Sequence, residues 1–137
     1  MPNKFSQTLN RIMQVMSNTR DDTDRFSPSD IEQNRMMALL SYIWLCCLVP
    51  MFAAKNSPYA LYHARQGLIL AIVETAAALV LGLLAKIPLL GIIFAIARFL
   101  LLLTCVVLSL VGIYNVLNNK ARELPLMGLL TQYISKR

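Results

Sequence analysis

Three long apolar runs follow the first 35 residues of the chain. The run over 36–54 holds no charged residue, the run over 67–85 holds only Glu74, and the run over 89–117 holds only Arg98. A helix needs about 20 predominantly apolar residues to cross the hydrocarbon core of a bilayer. The pattern therefore predicts an all-α, polytopic membrane protein with about three transmembrane helices at these positions.

Two helix start signals precede the first two runs. Ser27-Pro28 and Ser57-Pro58 each place a preferred N-cap residue before a proline at the first helical position. They predict one helix from Ser27 through the first run and a second from Pro58 through the second run. Pro50, near the far end of the first run, should kink or end that helix.

The first 17 residues carry an amphipathic pattern. Apolar side chains recur at a spacing that forms one helical stripe, with Lys4 and Arg11 on the opposite side. The stripe consists of Phe5, Leu9, Ile12, Met13 and Met16. Such a helix either lies in the membrane interface or docks onto a partner protein, and the pattern favours neither.

These patterns divide the chain into two parts. Residues 1–26 form an amphipathic helix with a polar linker, and residues 27–137 form a single transmembrane helical domain. The apolar stretch 124–134 is too short to cross a bilayer, so we expect an interfacial tail. The third run is longer than a crossing requires, which leaves one tilted helix or a re-entrant hairpin.

The charge balance bears on partners and topology. With 13 basic and 7 acidic residues, the chain carries a net charge of +6. The basic residues lie in termini and loops without interleaved aromatic residues, so we expect contacts with lipid headgroups and no nucleic-acid partner. Three crossings leave six basic residues on each side, whereas a re-entrant third run leaves ten against two. We favour three crossings, because Arg98 at a hairpin tip within lipid would be poorly solvated.

Candidate chemistry is sparse. Cys46, Cys47 and Cys105 lie in apolar runs and His63 is the only histidine, so we predict neither a metal site nor a cofactor. Catalysis normally needs a nucleophile or base with an orienting partner, and no carboxylate lies near His63 in the sequence. We therefore predict no catalytic residues and no enzyme activity.

Glu74 and Arg98 are the charged residues inside the predicted spans. A charge at mid-span is costly and normally finds a partner. Lys86, in the intervening turn, is 12 residues from each of them, and equal offsets mean equal depth in an antiparallel hairpin. The sequence therefore predicts an intramembrane ion pair between Glu74 and Arg98.

Two further sets of residues are candidates for contacts. Small residues at helix-packing spacing allow membrane helices to approach closely, within this chain or with a partner. They are Ala71, Thr75, Ala78 and Gly82. Polar and aromatic residues at the start of the second run are expected at the membrane surface, where they contact lipid or a partner or else anchor the helix. They are Tyr59, Tyr62, His63, Arg65 and Gln66.

Several short motifs resemble the Tic20-like small membrane proteins of bacteria, the DUF4870 group. They are residues 41–44, 49–58 and Tyr62-His63-Ala64-Arg65-Gln66-Gly67-Leu68, then 112–115, Lys120 and 124–128. The resemblance covers about residues 30–130. It implies a multi-spanning membrane protein without established catalytic residues, in a family that includes magnetosome-membrane proteins and distant relatives of a chloroplast import component.

These observations predict a non-enzymatic integral membrane protein that serves as an accessory or scaffold subunit of a larger complex. Its expected partners are membrane lipids and other membrane subunits or further copies of itself. Its expected location is a bacterial plasma membrane, as a multi-pass protein. The alternative is a component of a protein or solute translocation pathway, which requires an oligomer because two mid-span charges are too few to line a pore.

Overall fold

The computed structural model of this protein describes residues 3–17 and 19–125, with no side-chain description at 15–17. The described chain is helical. Its α-helices are α1 (Lys4–Ser17), α2 (Pro28–Gln33), α3 (Arg35–Leu40), α4 (Leu48–Ala53), α5 (Pro58–Leu84) and α6 (Gly91–Leu117), and short 3₁₀ helices occupy Thr23–Arg25 and Trp44–Cys47.

The two long helices, α5 and α6, form an antiparallel hairpin joined by the turn over 85–90. Each has 27 residues, or about 40 Å at 1.5 Å per residue, which exceeds the thickness of a hydrocarbon core. Only 17% and 11% of the residues in their most apolar windows are buried. A core helix of a water-soluble protein would be mostly buried, so these faces are suited to lipid.

The prediction of separate helices for the second and third runs is confirmed. Ser57 caps α5 by accepting a hydrogen bond from the backbone N–H of Ala60 at 3.1 Å, and Pro58 follows at the first helical position. The third run is one continuous helix, α6, rather than a re-entrant hairpin. Of the predicted interfacial tail over 124–134, residues 126–134 lie outside the described part of the chain.

The predicted helix from Ser27 through the first run is wrong. Ser27 does cap α2 by accepting from the backbone N–H of Asp30, but the helix stops at Gln33, and Arg35–Ala53 is divided into α3, a turn, a 3₁₀ helix and α4. Trp44 in this region has a left-handed φ of 34°. Pro50 lies in the first turn of α4, where its missing N–H is tolerated, instead of near the end of a long helix.

Residues 35–53 are called the folded-back segment below. Both ends of this segment lie at the same end of the hairpin. Just before it, the Asp30 carboxylate accepts hydrogen bonds from the Ser57 hydroxyl and the Tyr59 backbone N–H at the start of α5. Just after it, the chain reaches Ser57 directly. The segment packs along α5 without passing to the other end, so the predicted count of about three crossings is not confirmed.

The described residues before α2 and after α6 meet at that same end. The backbone N–H of Asp22 donates to the carbonyl of Ala121 at 2.8 Å, and that of Glu123 donates to the carbonyl of Arg20 at 3.1 Å. The Arg35 guanidinium donates to the carbonyl of Leu117 at the end of α6, at 2.6 Å. Residues 19–34, 54–66 and 118–125 together form the head of the hairpin.

The N-terminal helix α1 occupies the predicted amphipathic segment. The described apolar side chains of its stripe remain exposed. They are Phe5, Leu9, Ile12 and Met13, with exposed fractions between 45% and 78%. Its apolar face therefore contributes little to the fold of the head.

Candidate functional site: the polar layer in the head

A buried aromatic cage surrounds His63 where the head meets the hairpin. The imidazole makes edge-to-face contacts with the rings of Tyr42, Tyr59 and Tyr62, at centroid distances of 5.7, 4.8 and 5.3 Å. The Tyr42 hydroxyl and His63 Nδ1 share a hydrogen bond of 2.7 Å. The Nε2 atom of His63 is buried without a hydrogen-bond partner in the described chain. No carboxylate bonds to the ring, and burial without an anion favours the neutral imidazole.

Two glycines make room for the chain reversal that carries Tyr42 into this cage. A Cβ on Gly67 of α5 would lie 1.7 Å from the carbonyl oxygen of Ser41, and a Cβ on Gly112 of α6 would lie 2.2 Å from the ring of Tyr42. Any side chain at either position would therefore overlap the folded-back segment. The two helices hold that segment between them at a spacing that only glycine permits.

Gln66 fastens the segment after α6 to α5. Its Oε1 accepts from the backbone N–H of Leu124 at 3.0 Å, and its Nε2 donates to the carbonyl of Arg122 at 3.4 Å. Both Gln66 and Leu124 are buried. The buried amide replaces water at two backbone groups that have no helical partner.

Two acidic residues complete the polar layer, which consists of Tyr42, Tyr59, Tyr62, His63, Gln66, Asp22 and Asp30. Asp30 also accepts from the Asn34 side-chain amide at 2.8 Å, in addition to its bonds to α5. Asp22 is buried; it pairs with Arg20 at 2.8 Å and accepts from the Tyr62 hydroxyl at 3.3 Å. Each carboxylate joins two separate chain segments, which gives both of them a structural role.

Asp21 supports the same junction from an exposed position. The Thr23 hydroxyl and the Thr23 backbone N–H, and then Arg122 at 3.2 Å, favour the carboxylate and hold the pKa of Asp21 below its usual value. An ionised Asp21 therefore stabilises the junction between residues 20–23 and 121–123.

The hydrogen-bonding groups of the layer are bonded largely within the chain. Among the described residues, no group of three His, Cys, Asp or Glu side chains could hold a metal ion. The hydrogen bonds of Asp22, Asp30 and Gln66 are directed at other parts of the same chain. Such an arrangement positions chain segments relative to one another.

The structure separates the five residues predicted at the membrane surface. Tyr59, His63 and Gln66 are buried inside the head and contact this chain, Tyr62 is half-buried, and Arg65 is exposed. Lipid or partner contact is therefore open to Arg65 and in part to Tyr62. The folded-back segment and the head enclose the other three side chains. Their burial was not predicted, because the first run was expected to form one spanning helix.

Glu74 and Arg98 do not form a salt bridge in the described chain. The Arg98 guanidinium instead lies against Gly82, where an added Cβ would be 3.2 Å from Nη1. Gly82 is eight residues after Glu74, about 12 Å along the helix. The prediction took Lys86 as the pivot, but the turn extends to Leu90, which shifts the register of the two helices.

The small residues on α5 contact other parts of this chain. Ala71 is buried, and Thr75 accepts a hydrogen bond from the indole N–H of Trp44 at 3.3 Å. Gly82 faces Arg98 of α6, and Ala78 is half-buried. Three of the four residues thus contribute to packing within this chain. Packing against a partner was the other use that their spacing allowed.

The sequence analysis did not identify the residues of this layer whose contacts are with residues far away in the sequence. Tyr42, Gly112, Asp22 and Asp30 were not candidate site residues. Gly112 had one sequence signal. An isolated glycine within an apolar helix often marks a position where another part of the chain packs closely against the helix backbone. The pairing of residues 20–23 with 121–123 has no local signal.

The sequence is similar to two magnetosome proteins. It is 34% identical over 94 residues to magnetosome protein MamF of Paramagnetospirillum magneticum, which covers 68% of this chain and 78% of MamF. This chain belongs to the MamF family. Magnetosome protein MmsF of the same organism is 32% identical over 94 residues, which covers 68% of this chain and 80% of MmsF. No family model matches the sequence, and no solved structure matches it. Together with the two long apolar helices, this membership supports a membrane location.

Proposed function

We propose that this chain is a non-enzymatic membrane accessory or scaffold protein, held in the bilayer by the α5–α6 hairpin and acting in an internal membrane of the magnetosome type. The observation that carries the proposal is the contrast between the two halves of the molecule. The hairpin exposes apolar side chains along most of its length, whereas the polar groups of the head bond to one another. The relatives' names supply the magnetosome setting.

The proposed topology has two crossings with the head on the cytoplasmic side. Nine basic residues of the described chain lie in the head, in α1 or at the head end of α3; they are Lys4, Arg11, Arg20, Arg25, Arg35, Lys55, Arg65, Lys120 and Arg122. The far turn carries Lys86, and Arg98 lies within α6. Basic residues mark cytoplasmic loops, so this asymmetry, absent from a three-crossing arrangement, supports a cytoplasmic head.

Cysteine labelling tests this topology. In a chain whose native cysteines are replaced by serine, single cysteines at Asn10, Asn56 and Asn118 should react with a membrane-impermeant maleimide only in inverted vesicles. A cysteine at Pro88 should react only in right-side-out vesicles. Three crossings would place Asn10 and Asn56 on opposite sides, and that labelling pattern would contradict the proposal.

A kinship with the Tic20-like proteins is part of the proposal, supported by the motif over 62–68 and by Gly112. In this structure the motif supplies His63 to the cage, Gln66 to the backbone junction and Gly67 to the chain reversal. The motif thus has a structural explanation in which no catalytic step is required.

A second candidate function is a translocation component that acts as an oligomer. Glu74 is half-buried and Arg98 is exposed, and neither forms an ion pair with a described residue. Charges at membrane depth normally find partners, so a neighbouring copy would have to supply them. Solute flux through liposomes containing the purified protein, lost in an Arg98→Gln variant, would support this function; a tight bilayer would exclude it.

A further inference from the structure

A basic cavity opens on the side of the head beside α5. Its volume is about 560 Å³, and Arg25, Lys55 and Arg65 line it together with Glu123. These cations come from three separate segments, which the fold of the head brings together. The charged lining of the cavity is therefore positive overall, which suits an anion.

Two of these cations are available to a ligand. Lys55 and Arg65 are exposed and form no ion pair with a described residue, whereas Arg25 lies 3.6 Å from the Asp22 carboxylate. Arginine binds phosphate through two parallel hydrogen bonds, and lysine binds it as a point charge. The cavity therefore has the donors that a phosphate group requires.

The lower edge of the cavity is apolar and leads onto the hairpin. Ile69, which also lines the cavity, is one helical turn below Arg65 on the same face of α5. Ile72 continues this face and is 59% exposed. A ligand bound at Arg65 thus has an apolar surface directly beneath it, where a membrane would place acyl chains.

We propose that this cavity binds the phosphate-bearing headgroup of an anionic phospholipid, with the acyl chains lying along Ile69 and Ile72. Free phosphate shares the headgroup chemistry but cannot use the apolar surface. The inference rests on the proposed membrane hairpin and specifies a lipid contact for it. Cavities of this size commonly hold ligands as large as a glycerophosphate headgroup.

Native mass spectrometry of the full chain in a neutral detergent tests the proposal. We expect the protein to retain added phosphatidylglycerol in preference to phosphatidylcholine. The double variant Lys55→Gln/Arg65→Gln should retain phosphatidylglycerol about 30-fold more weakly, since two headgroup contacts are lost. The control Lys86→Gln/Lys120→Gln removes the same charge outside the cavity and should stay within about threefold of the wild type. Equal weakening by both double variants would overturn the site, because it would show unspecific attraction.

Two further measurements separate the remaining outcomes. Arg65→Lys keeps the charge but loses the paired hydrogen bonds, so it should weaken retention less than the double variant. Inorganic phosphate should raise the unfolding temperature less than phosphatidylglycerol does, and an equal effect would overturn the lipid assignment in favour of free phosphate. Cysteine labelling of the topology does not depend on these residues, so failure of the hairpin and failure of the lipid site are distinguishable.

Discussion

At the scale of single residues, Gly67 and Gly112 determine whether the folded-back segment can lie between the two long helices. Each glycine faces an atom of Ser41 or Tyr42 at a distance that excludes a Cβ. Tyr42 then reaches His63, and the hydrogen bond between them ties the segment to α5. A core packed this closely has few ways to relax around an added methyl group.

Gly112→Ala should destabilise the protein by about 1–3 kcal/mol, because its methyl group would overlap the Tyr42 ring. Gly82→Ala is the matched control. Its Cβ meets only the end of the flexible Arg98 side chain, and alanine favours a helix over glycine, so stability should be unchanged or higher. Unfolding in mixed micelles measures both, and equal effects of the two variants would argue against the close contact at Tyr42.

Lowering the pH should loosen the junction between residues 20–23 and 121–123. The folded-state pKa of Asp21 is below its unfolded value, so its contribution is complete above about pH 4 and is lost as the pH falls through the folded pKa. Hydrogen exchange at the amides of Asp22 and Glu123, corrected for intrinsic rates, should rise in acid. In Asp21→Asn this acid dependence should be reduced, whereas exposed Asp24→Asn should keep it in full.

At the scale of the elements, the register of α5 against α6 is set by the whole turn over 85–90. Leu89 in this turn has a left-handed φ of 67°, and α6 begins only at Gly91. A Cβ on Gly91 would lie 2.2 Å from the carbonyl oxygen of Ala85, so the turn closes tightly on the start of α6. Arg98 consequently lies at the level of Gly82, well beyond Glu74.

Glu74→Gln and Arg98→Gln should therefore have additive effects on stability. Residues that do not touch usually couple by less than about 0.5 kcal/mol. A double-mutant cycle in detergent measures this value for the monomer. A coupling energy above about 1 kcal/mol would show that the two side chains meet after all, as the sequence alone suggested.

At the scale of the whole molecule, the head and the hairpin form one unit to which α1 adds little. The described apolar side chains of α1 are exposed, whereas the folded-back segment covers Tyr59 and His63 of α5. Both segments carry apolar side chains, but they have different roles. The difference follows from what each one packs against.

Deleting residues 3–17 should leave an inserted protein with an unchanged unfolding temperature. Deleting the folded-back segment should instead prevent stable folding. The contacts at Gly67 and Gly112 would be lost, and the buried side chains of the cage would be exposed. Membrane fractionation and thermal unfolding in detergent compare the two deletions. Loss of insertion on removal of 3–17 would show that α1 belongs to the folded core.

Helices with local sequence signals could be predicted without the structure. The Ser57-Pro58 start and the uninterrupted apolar runs define α5 and α6, because capping and hydrophobicity act within a few residues. The path of 36–54 could not be predicted in this way. This segment is apolar enough to cross a membrane, but it folds back because Tyr42 packs against Gly112 and Ser41 packs against Gly67. Tertiary structure also decided the burial of His63 and the separation of Glu74 from Arg98. These outcomes depend on contacts between residues far apart in the chain, which hydrophobic periodicity does not encode.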